Sequence, residues 1–171
     1  MATLAKEIGD TANCSALFRR AKRLGINTVR DFIRLAVARG CRHYASIYTP
    51  ADSDPGFSAL SNEELVALLL LGENEFDPIA VRCAAQLVGR CNAESLALVA
   101  KRERVERVLS YICDAGTIHD ASNSFFWIRL RALLGAQDPV AEGILPHWSR
   151  FVSQTGVTRN GREHVQWLHC Q

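Results

Sequence analysis

The sequence predicts an all-α protein, in which helices pack either as antiparallel pairs or as an irregular helical bundle. Three observations support this class. Apolar side chains recur at three- and four-residue spacing, capping residues precede several of these runs, and Pro, Gly and Asp concentrate in one loop at residues 49–60. With 171 residues and 48% hydrophobic side chains, the chain is long and apolar enough for a single domain with a substantial core.

Residues 1–48 are predicted to form a basic N-terminal helical hairpin, since they carry nine Lys or Arg side chains against three Asp or Glu. In residues 11–24 the apolar side chains fall on one side and the basic side chains on the other, and Gly25 ends this helix. A second helix follows Thr28 and ends near Gly40, because apolar side chains recur through it at helical spacing. The hairpin is followed by a hinge loop at 49–60 and a helical body at 61–171.

The basic side chains of this hairpin are typical of phosphate contacts, because Lys and Arg neutralise the backbone of nucleic acids. The candidate nucleic-acid-binding residues are Arg19, Arg20, Lys22, Arg23, Arg30 and Arg34. The alternative is a solvated helix face, or docking onto the acidic segment at residues 49–80, which carries seven Asp or Glu and no Lys or Arg. Residues 16–35, with their Gly-Ile-Asn-Thr-Val series at 25–29, resemble the helix-turn-helix-like start of the C-terminal domain that belongs to the alpha polypeptide of RNA polymerase. That resemblance implies nucleic acid as a possible partner.

The hinge loop leads into two apolar helices at residues 61–90. Ser61 is a good N-cap, and Glu64 three residues later completes the pattern of a capping box. The leucines that follow leave almost no polar face, so this helix should be covered on nearly all sides. Asp77 and Pro78 then start a second helix, with Asp as the N-cap and Pro in the first turn.

This helical pair, Ser61 to Arg90, resembles one unit of a HEAT-type repeat, in which a leucine-rich helix precedes a helix that starts with Asp-Pro. The likeness rests on Asp77, Pro78, Val81, Arg82, Ala84, Ala85 and Leu87. HEAT arrays are scaffolds and binding surfaces, so the resemblance implies recognition of a partner. A similar leucine, glycine and Asp-Pro series recurs at residues 133–141, with its proline 61 residues after Pro78. It predicts a second helical pair, and hence a short HEAT-like array.

The remaining segments are also predicted to be mainly helical. Residues 92–104, 105–112 and 124–134 have helical patterns, and the last of these again has little polar face. Gly116 and the polar residues up to Asn123 are predicted to form a loop. Pro146 is expected to kink a further helix. Residues 153–171 fit either a small hairpin around Asn160 and Gly161 or a terminal helix.

No catalytic residue, metal site or cofactor is expected. Familiar nucleophile, phosphate-loop and dinucleotide motifs are absent from the sequence. The six cysteines include no C-x-x-C pair and are expected to be small, reduced core residues. The possible metal ligands near the end of the sequence are better explained as the rim of an aromatic cluster made by Trp148, Phe151 and Trp167. These ligands are His119, His147, His164, His169 and Cys170.

The sequence therefore predicts a non-enzymatic helical protein-interaction module that binds a protein partner or a second copy of itself. The alternative is a nucleic-acid-binding protein that uses the basic N-terminal helices. The first ten residues contain no apolar signal core, and no apolar run reaches the length of a membrane span. A cytoplasmic location without a membrane partner is expected.

Overall fold

The computed structural model describes residues 15–50, 58–72, 76–157, 161 and 163–171. Within these ranges, seven α-helices precede a two-stranded antiparallel sheet. The helices are α1 (Ala16–Arg23), α2 (Val29–Ala38), α3 (Asn62–Leu69), α4 (Pro78–Leu87), α5 (Ala93–Glu103), α6 (Glu106–His119) and α7 (Ser124–Leu134). The strands are β1 (Val152–Val157) and β2 (Glu163–Trp167), and short 3-10 turns cover Arg42–Tyr44, Val88–Arg90, Ala121–Asn123 and Trp148–Phe151.

Side-chain caps start α3 and α4 where the sequence predicted them. The Ser61 hydroxyl accepts a hydrogen bond from the Glu64 amide at 3.1 Å, and the Glu64 carboxylate accepts one from the Ser61 amide at 3.0 Å. The Asp77 carboxylate accepts hydrogen bonds from the amides of Ile79 and Ala80 at 2.8 and 3.0 Å. Each cap satisfies amides that have no partner inside the helix, so both predicted helix starts are confirmed.

α3 lies at the centre of the packing, in contact with α1, α2, α4 and α5. The six residues 65–70 are all buried, with Leu65 and Leu70 fully inaccessible. Burying a leucine side chain stabilises a fold by about 1.5–3 kcal/mol, so this helix contributes strongly to the core. The neighbouring helices cover the apolar side chains on every face of α3. The prediction that α3 is covered on nearly all sides is therefore confirmed.

α6 continues into the segment that the sequence predicted to be a loop. Gly116 lies inside α6, which ends only at His119. A Cβ atom at Gly116 would lie 2.4 Å from Cδ2 of the Trp127 ring on α7. The prediction of a loop from Gly116 was therefore wrong, because this glycine permits close helix packing and does not make a turn.

The predicted second helical pair at residues 133–141 does not form. Gly135 follows α7 with a φ of 77°, and residues 136–147 contain no helix. The Arg107 guanidinium on α6 instead donates hydrogen bonds to the carbonyls of Asp138 and Pro139, at 3.1 and 2.6 Å. These carbonyls are held by a tertiary contact, so the Asp-Pro series here is part of a loop.

Pro146 lies in the same loop and not within a helix, contrary to the prediction. Its carbonyl accepts a hydrogen bond from the Tyr111 hydroxyl of α6 at 3.0 Å. Side chains of α6 thus hold both ends of the loop between α7 and the terminal hairpin.

β1 and β2 pair as in the β-hairpin that was one of the two predicted possibilities, and the predicted turn residue Asn160 lies outside the described residues. β1 pairs with β2 in antiparallel register, with Val152 opposite Trp167, and an irregularity lies between Gln154 and Gly156. The protein is therefore mostly helical, as predicted, but the all-α class was too narrow because it omitted this small sheet. Val152, Val157, Val165 and Trp167 favour a strand pair here, because β-branched and aromatic side chains are enriched in strands.

The hairpin is anchored by buried aromatic rings. Trp127 of α7, Phe151 and Trp167 are at most 2% exposed. The Trp167 ring centroid lies 5.2 Å from that of Trp127 and 5.6 Å from that of Phe151. The Trp167 indole donates a hydrogen bond to the Ala85 carbonyl of α4 at 3.3 Å. Phe151 and Trp167 pack together as predicted, with Trp127 as an additional member. Trp148, the third ring of the predicted cluster, is only partly buried and stacks on the His119 ring instead.

The predicted N-terminal hairpin and hinge loop extend into residues 1–14 and 51–57, which lie outside the described residues. Within the described part, α1 and α2 meet where the Phe18 ring packs edge-on against the Phe32 ring, with centroids 6.2 Å apart. Both rings belong to the same hydrophobic cluster as α3. The division into hairpin, hinge and body remains a prediction.

No helix in the described ranges combines the length and apolar character needed to cross a lipid bilayer.

Candidate interaction surfaces

The six predicted nucleic-acid-binding residues divide into two groups. α1 buries Leu17, Phe18 and Ala21. Its opposite face exposes basic side chains at three- and four-residue spacing, and α2 begins with a further exposed arginine. Among the described residues, none of these four side chains has an ion-pair or hydrogen-bond partner. They are Arg19, Lys22, Arg23 and Arg30.

The other two predicted residues are engaged by the protein itself. The Arg20 guanidinium forms an ion pair with the Glu64 carboxylate at 2.5 Å and donates a hydrogen bond to the Ala59 carbonyl. The Arg34 guanidinium donates one to the Thr49 carbonyl at 3.1 Å. Since Glu64 belongs to the acidic segment at residues 49–80, the docking alternative that the sequence left open applies to Arg20.

A second exposed surface lies on the hairpin of α6 and α7. Asp114 of α6 accepts a hydrogen bond from the Arg131 guanidinium of α7 at 2.8 Å, and Gly116 lies against Trp127. As the residue number rises in α6 it falls in the facing part of α7, so the two helices run antiparallel. Side chains one turn beyond the Asp114–Arg131 ion pair therefore lie on the same face of the hairpin.

Three large apolar side chains occupy that position. Ile118 lies four residues after Asp114, Ile128 lies three residues before Arg131, and Phe125 follows at the next turn of α7. Their exposed fractions are 73%, 56% and 82%. We call Ile118, Phe125 and Ile128 the apolar ridge. Large apolar side chains that are this exposed and share one face of a helical hairpin are typical of binding surfaces.

The charges beside the ridge are paired with each other. Arg131 pairs with Asp114 across the α6–α7 hairpin, and Arg129 of α7 pairs with Glu94 of α5. The side chains of both pairs remain partly or largely exposed. The rim of the ridge therefore presents both signs of charge to solvent and carries no net charge from these four residues.

A buried polar cluster lies at the end of the same hairpin. The side chain of Asp120 is 3% exposed. Its carboxylate accepts hydrogen bonds from the Trp127 indole at 2.9 Å, the Ser122 hydroxyl at 3.0 Å and the Asn123 amide at 3.1 Å, and the His169 ring lies 3.3 Å away. Burial disfavours its charged form, but these donors and His169 outweigh burial and hold the pKa of Asp120 below its ordinary value.

This cluster contains serine, histidine and aspartate, but its geometry does not prepare a nucleophile. Nucleophilic catalysis needs a base that takes the proton of the attacking hydroxyl. The Ser122 hydroxyl donates to Asp120, and Nε2 of His169 also faces Asp120. The geometry therefore favours a structural role, in which Asp120 ties the start of α7 to the end of the chain.

The other predicted metal-ligand candidates lie apart or contact rings. The His119 ring stacks on Trp148 with centroids 3.8 Å apart and planes at 10°, and the His147 ring lies 5.1 Å from the same indole. Burial and the neighbouring His147 lower the pKa of His119. Across the described ranges, no three His, Cys, Asp or Glu side chains are grouped to hold a metal ion. The side chain of His164 lies outside the described residues.

The cysteines pack as small side chains. Cys41, Cys83 and Cys113 are fully buried, as expected of core residues. The Cys41 sulfur lies 3.3 Å from that of Cys170, and both are unbonded thiols. Cys14 lies outside the described residues.

Sequence reasoning did not find Asp120 or the apolar ridge. Asp120 falls in the segment that was predicted to be a loop, where an aspartate gives no signal of burial. For the ridge a signal existed, because α7 was predicted to have little polar face. Only the packing of α7 against α5 and α6 shows which of its apolar side chains remain exposed.

The fold and these surfaces define a mostly helical protein with a terminal β-hairpin, one basic helix face and one apolar ridge. No family model, curated protein or solved structure matches the chain.

Proposed function

We propose that this chain is a helical protein-interaction module that self-associates through the apolar ridge. The exposure of Phe125 carries the proposal, since 82% of this large apolar residue is accessible while the other described Phe side chains are buried or partly buried. Removing a phenylalanine ring from water is worth about 1.5–3 kcal/mol. A second protein surface that covers the ridge would gain this free energy from Phe125 and more from the two isoleucines.

The charges beside the ridge favour a second copy of the chain as its partner. A two-fold symmetric interface must be complementary to itself, because the same surface occurs on both sides. Asp114 and Arg131 present opposite charges next to the apolar side chains, and so do Glu94 and Arg129. A second copy, related by a two-fold axis through the ridge, can place its carboxylates against the guanidinium groups of the first. A strongly charged partner would gain little, because these four residues carry no net charge.

In this proposal the HEAT-like pair, α3 and α4, is the scaffold that supports the apolar ridge. α3 and α4 pack against each other, and α3 is covered by α1, α2 and α5 as well. One helical pair at the centre of the core supports a framework that presents α6 and α7 at its surface. We infer that the resemblance to a HEAT unit reflects such a scaffold role.

Replacing Phe125 by Ser is expected to weaken self-association at least tenfold, because the loss of about 1.5–3 kcal/mol per ring exceeds the 1.4 kcal/mol that corresponds to a factor of ten. Analytical ultracentrifugation over a range of protein concentrations measures the monomer–dimer dissociation constant of both proteins. Thermal unfolding of the Ser variant should be unchanged at concentrations where both proteins are monomeric, since the ring contributes little to the core.

Two isoleucines provide the matched control. Ile128 in the ridge and Ile47 after α2 are 56% and 62% exposed, so Ile128→Ser and Ile47→Ser remove the same side chain from similar exposure. Only Ile128→Ser should weaken the dimer. A wild-type protein that stays monomeric at the highest concentration, or equal effects of the two variants, would overturn the self-association proposal.

A second candidate function is nucleic-acid binding by the exposed face of α1 and the start of α2. It is favoured by the four basic side chains without described partners, Arg19, Lys22, Arg23 and Arg30. Each phosphate contact releases condensed counterions, so binding would weaken steeply with salt. Because Arg20 and Arg34 are held by the protein, the contact set is smaller than the sequence predicted.

Changing Arg19 and Arg23 together to Gln is expected to weaken binding to a short labelled DNA duplex. The slope of log affinity against log salt should also become shallower by about 2, because each lost phosphate contact changes it by about one unit. Fluorescence anisotropy at several salt concentrations gives both quantities. The control exchanges Lys101 and Arg150 for Gln, which removes the same charge from exposed positions elsewhere. No duplex binding at low salt, or equal losses in both double variants, would exclude this function.

A further inference from the structure

Three arginines from two segments of the chain line one surface cavity. The cavity has a volume of about 490 Å³ and lies between the end of α2, the start of α3 and the 3-10 turn after α4. Arg39 and Arg42 come from the first of these segments and Arg90 from the last, while Ser61 and Asn62 line the side formed by α3. Such a volume is within the range of about 300–1,000 Å³ in which small ligands bind.

Arg39 is held in place by the protein. Its guanidinium donates a hydrogen bond to the Asn62 side-chain oxygen at 3.0 Å and another to the Leu60 carbonyl. The Asn62 side-chain nitrogen in turn donates to the Arg90 carbonyl at 3.3 Å. Burial lowers the pKa of Arg39 from its high ordinary value, while the nearby Glu63 and Glu64 oppose that shift and favour the charged form. These contacts fix one guanidinium and join the three walls of the cavity.

Arg42 and Arg90 are exposed and supply the adaptable charges. Over the described part of the chain, neither side chain has an ion-pair or hydrogen-bond partner. No Asp or Glu side chain is among the described lining residues. Three positive charges in a concave site without an Asp or Glu side chain concentrate positive potential there.

The nearest acidic side chains are directed elsewhere. Glu64 pairs with Arg20 and caps α3, and Glu63 accepts a hydrogen bond from the Asn92 amide at 2.8 Å. The backbone carbonyl of Gly40 is also occupied, since it accepts a hydrogen bond from the Gln171 amide at 3.1 Å. The carboxylates of Glu63 and Glu64 are therefore bonded to groups other than the three arginines.

We propose that this cavity binds the phosphate group of a small phosphorylated ligand. Guanidinium groups donate paired hydrogen bonds whose geometry matches a phosphate, and such charge-assisted bonds are stronger than neutral ones. Arg39 serves as the fixed donor, while Arg42 and Arg90 close on the phosphate from either side. The N-terminus of α3, at Ser61 and Asn62, adds the positive end of its helix dipole.

Calorimetric titration of the full chain with inorganic phosphate, adenosine 5′-monophosphate and adenosine tests this site. Both phosphate compounds should bind saturably and adenosine should not. Stronger binding of the nucleotide would identify a phosphomonoester as the ligand, and equal binding would identify free phosphate. No saturable heat with either phosphate compound would overturn the proposal.

The double variant Arg42→Gln/Arg90→Gln should bind phosphate at least about tenfold more weakly, because two charge-assisted hydrogen-bond donors are replaced by neutral ones. Both residues are exposed, so its unfolding midpoint should match that of wild type. The matched control is Lys101→Gln/Arg150→Gln, which removes the same charge from exposed positions elsewhere and should change the affinity less than about twofold, since neither residue lines the cavity. Equal weakening in the two double variants would show diffuse attraction to basic surface and would overturn the assignment to the cavity.

Discussion

Replacing Asp120 by Ala should destabilise the fold by about 3–4 kcal/mol. The substitution leaves the buried indole N–H of Trp127 without its acceptor and removes the partner of Ser122, Asn123 and His169. Hydrogen bonds to a charged group contribute about 1.5–3 kcal/mol each, and breaking a buried charged pair costs about 3–5 kcal/mol. Urea unfolding followed by tryptophan fluorescence and by circular dichroism measures the change in the free energy of unfolding.

Asp114→Ala is the matched control for this prediction. Asp114 lies on α6, six residues before Asp120, and forms an ion pair with Arg131. Unlike that of Asp120, its side chain is 61% exposed. Exposed ion pairs contribute about 0–1 kcal/mol, so this variant should lose no more than that. Similar losses in Asp114→Ala and Asp120→Ala would show that burial of the Asp120 cluster has no special weight.

The dependence of the free energy of unfolding on acidic pH tests whether the charge of Asp120 stabilises the fold. Its pKa is lower in the folded protein than in the unfolded chain, so its contribution is fully present above about pH 4 and declines as the pH falls through the folded value. Asp120→Asn keeps the shape and removes the titration. The difference in unfolding free energy between wild type and Asp120→Asn should therefore shrink below about pH 4, and a constant difference would contradict a role for the charge.

Gly116→Ala should destabilise the protein by about 2 kcal/mol, although alanine normally stabilises a helix interior by about 1 kcal/mol relative to glycine. The new Cβ would lie 2.4–2.8 Å from three atoms of the Trp127 ring, which is fully buried and cannot move without displacing its neighbours. Overpacking a dense core typically costs about 1–3 kcal/mol. Urea unfolding gives the sign directly, and a stabilised variant would show that α6 and α7 separate easily.

A double-mutant cycle assigns the effect to the Trp127 contact. Trp127→Leu removes the ring that the new Cβ would meet, at the cost of a cavity and of the hydrogen bond to Asp120. In that background Gly116→Ala should be neutral or stabilising, because only the helix propensity remains. The same loss in both backgrounds would place the strain within α6 and not at the ring.

Local signals in the sequence were enough to place most helices. Ser61 with Glu64 and Asp77 with Pro78 start α3 and α4 where they were predicted, because a cap is a contact among residues within one turn. The apolar residues of α3 predicted burial on nearly all sides for the same reason, since a helix without a polar face has no stable exposed side. The positions of most helices could therefore be predicted from residues that are close in sequence.

The errors arose where a distant contact decides the outcome. Gly116 looks like a turn residue in isolation, but Trp127 requires a glycine within α6 at that point. Asp138 and Pro139 repeat the local pattern of a helix start, but the Arg107 guanidinium binds their carbonyls. Neither contact can be predicted from a local sequence pattern, because each joins residues that are far apart in sequence or lie on separate helices.

The candidate surfaces show the same division. The sequence by itself determined a mostly helical protein with a basic N-terminal region and an α7 that has little polar face. Only the tertiary structure decided that Arg20 pairs with Glu64, that Phe125 remains exposed while Trp127 is buried, and that Arg39, Arg42 and Arg90 share one cavity. Spacing along a helix specifies which side chains share a face. Which face is covered, and which charges meet, depends on the packing of segments that are distant in sequence.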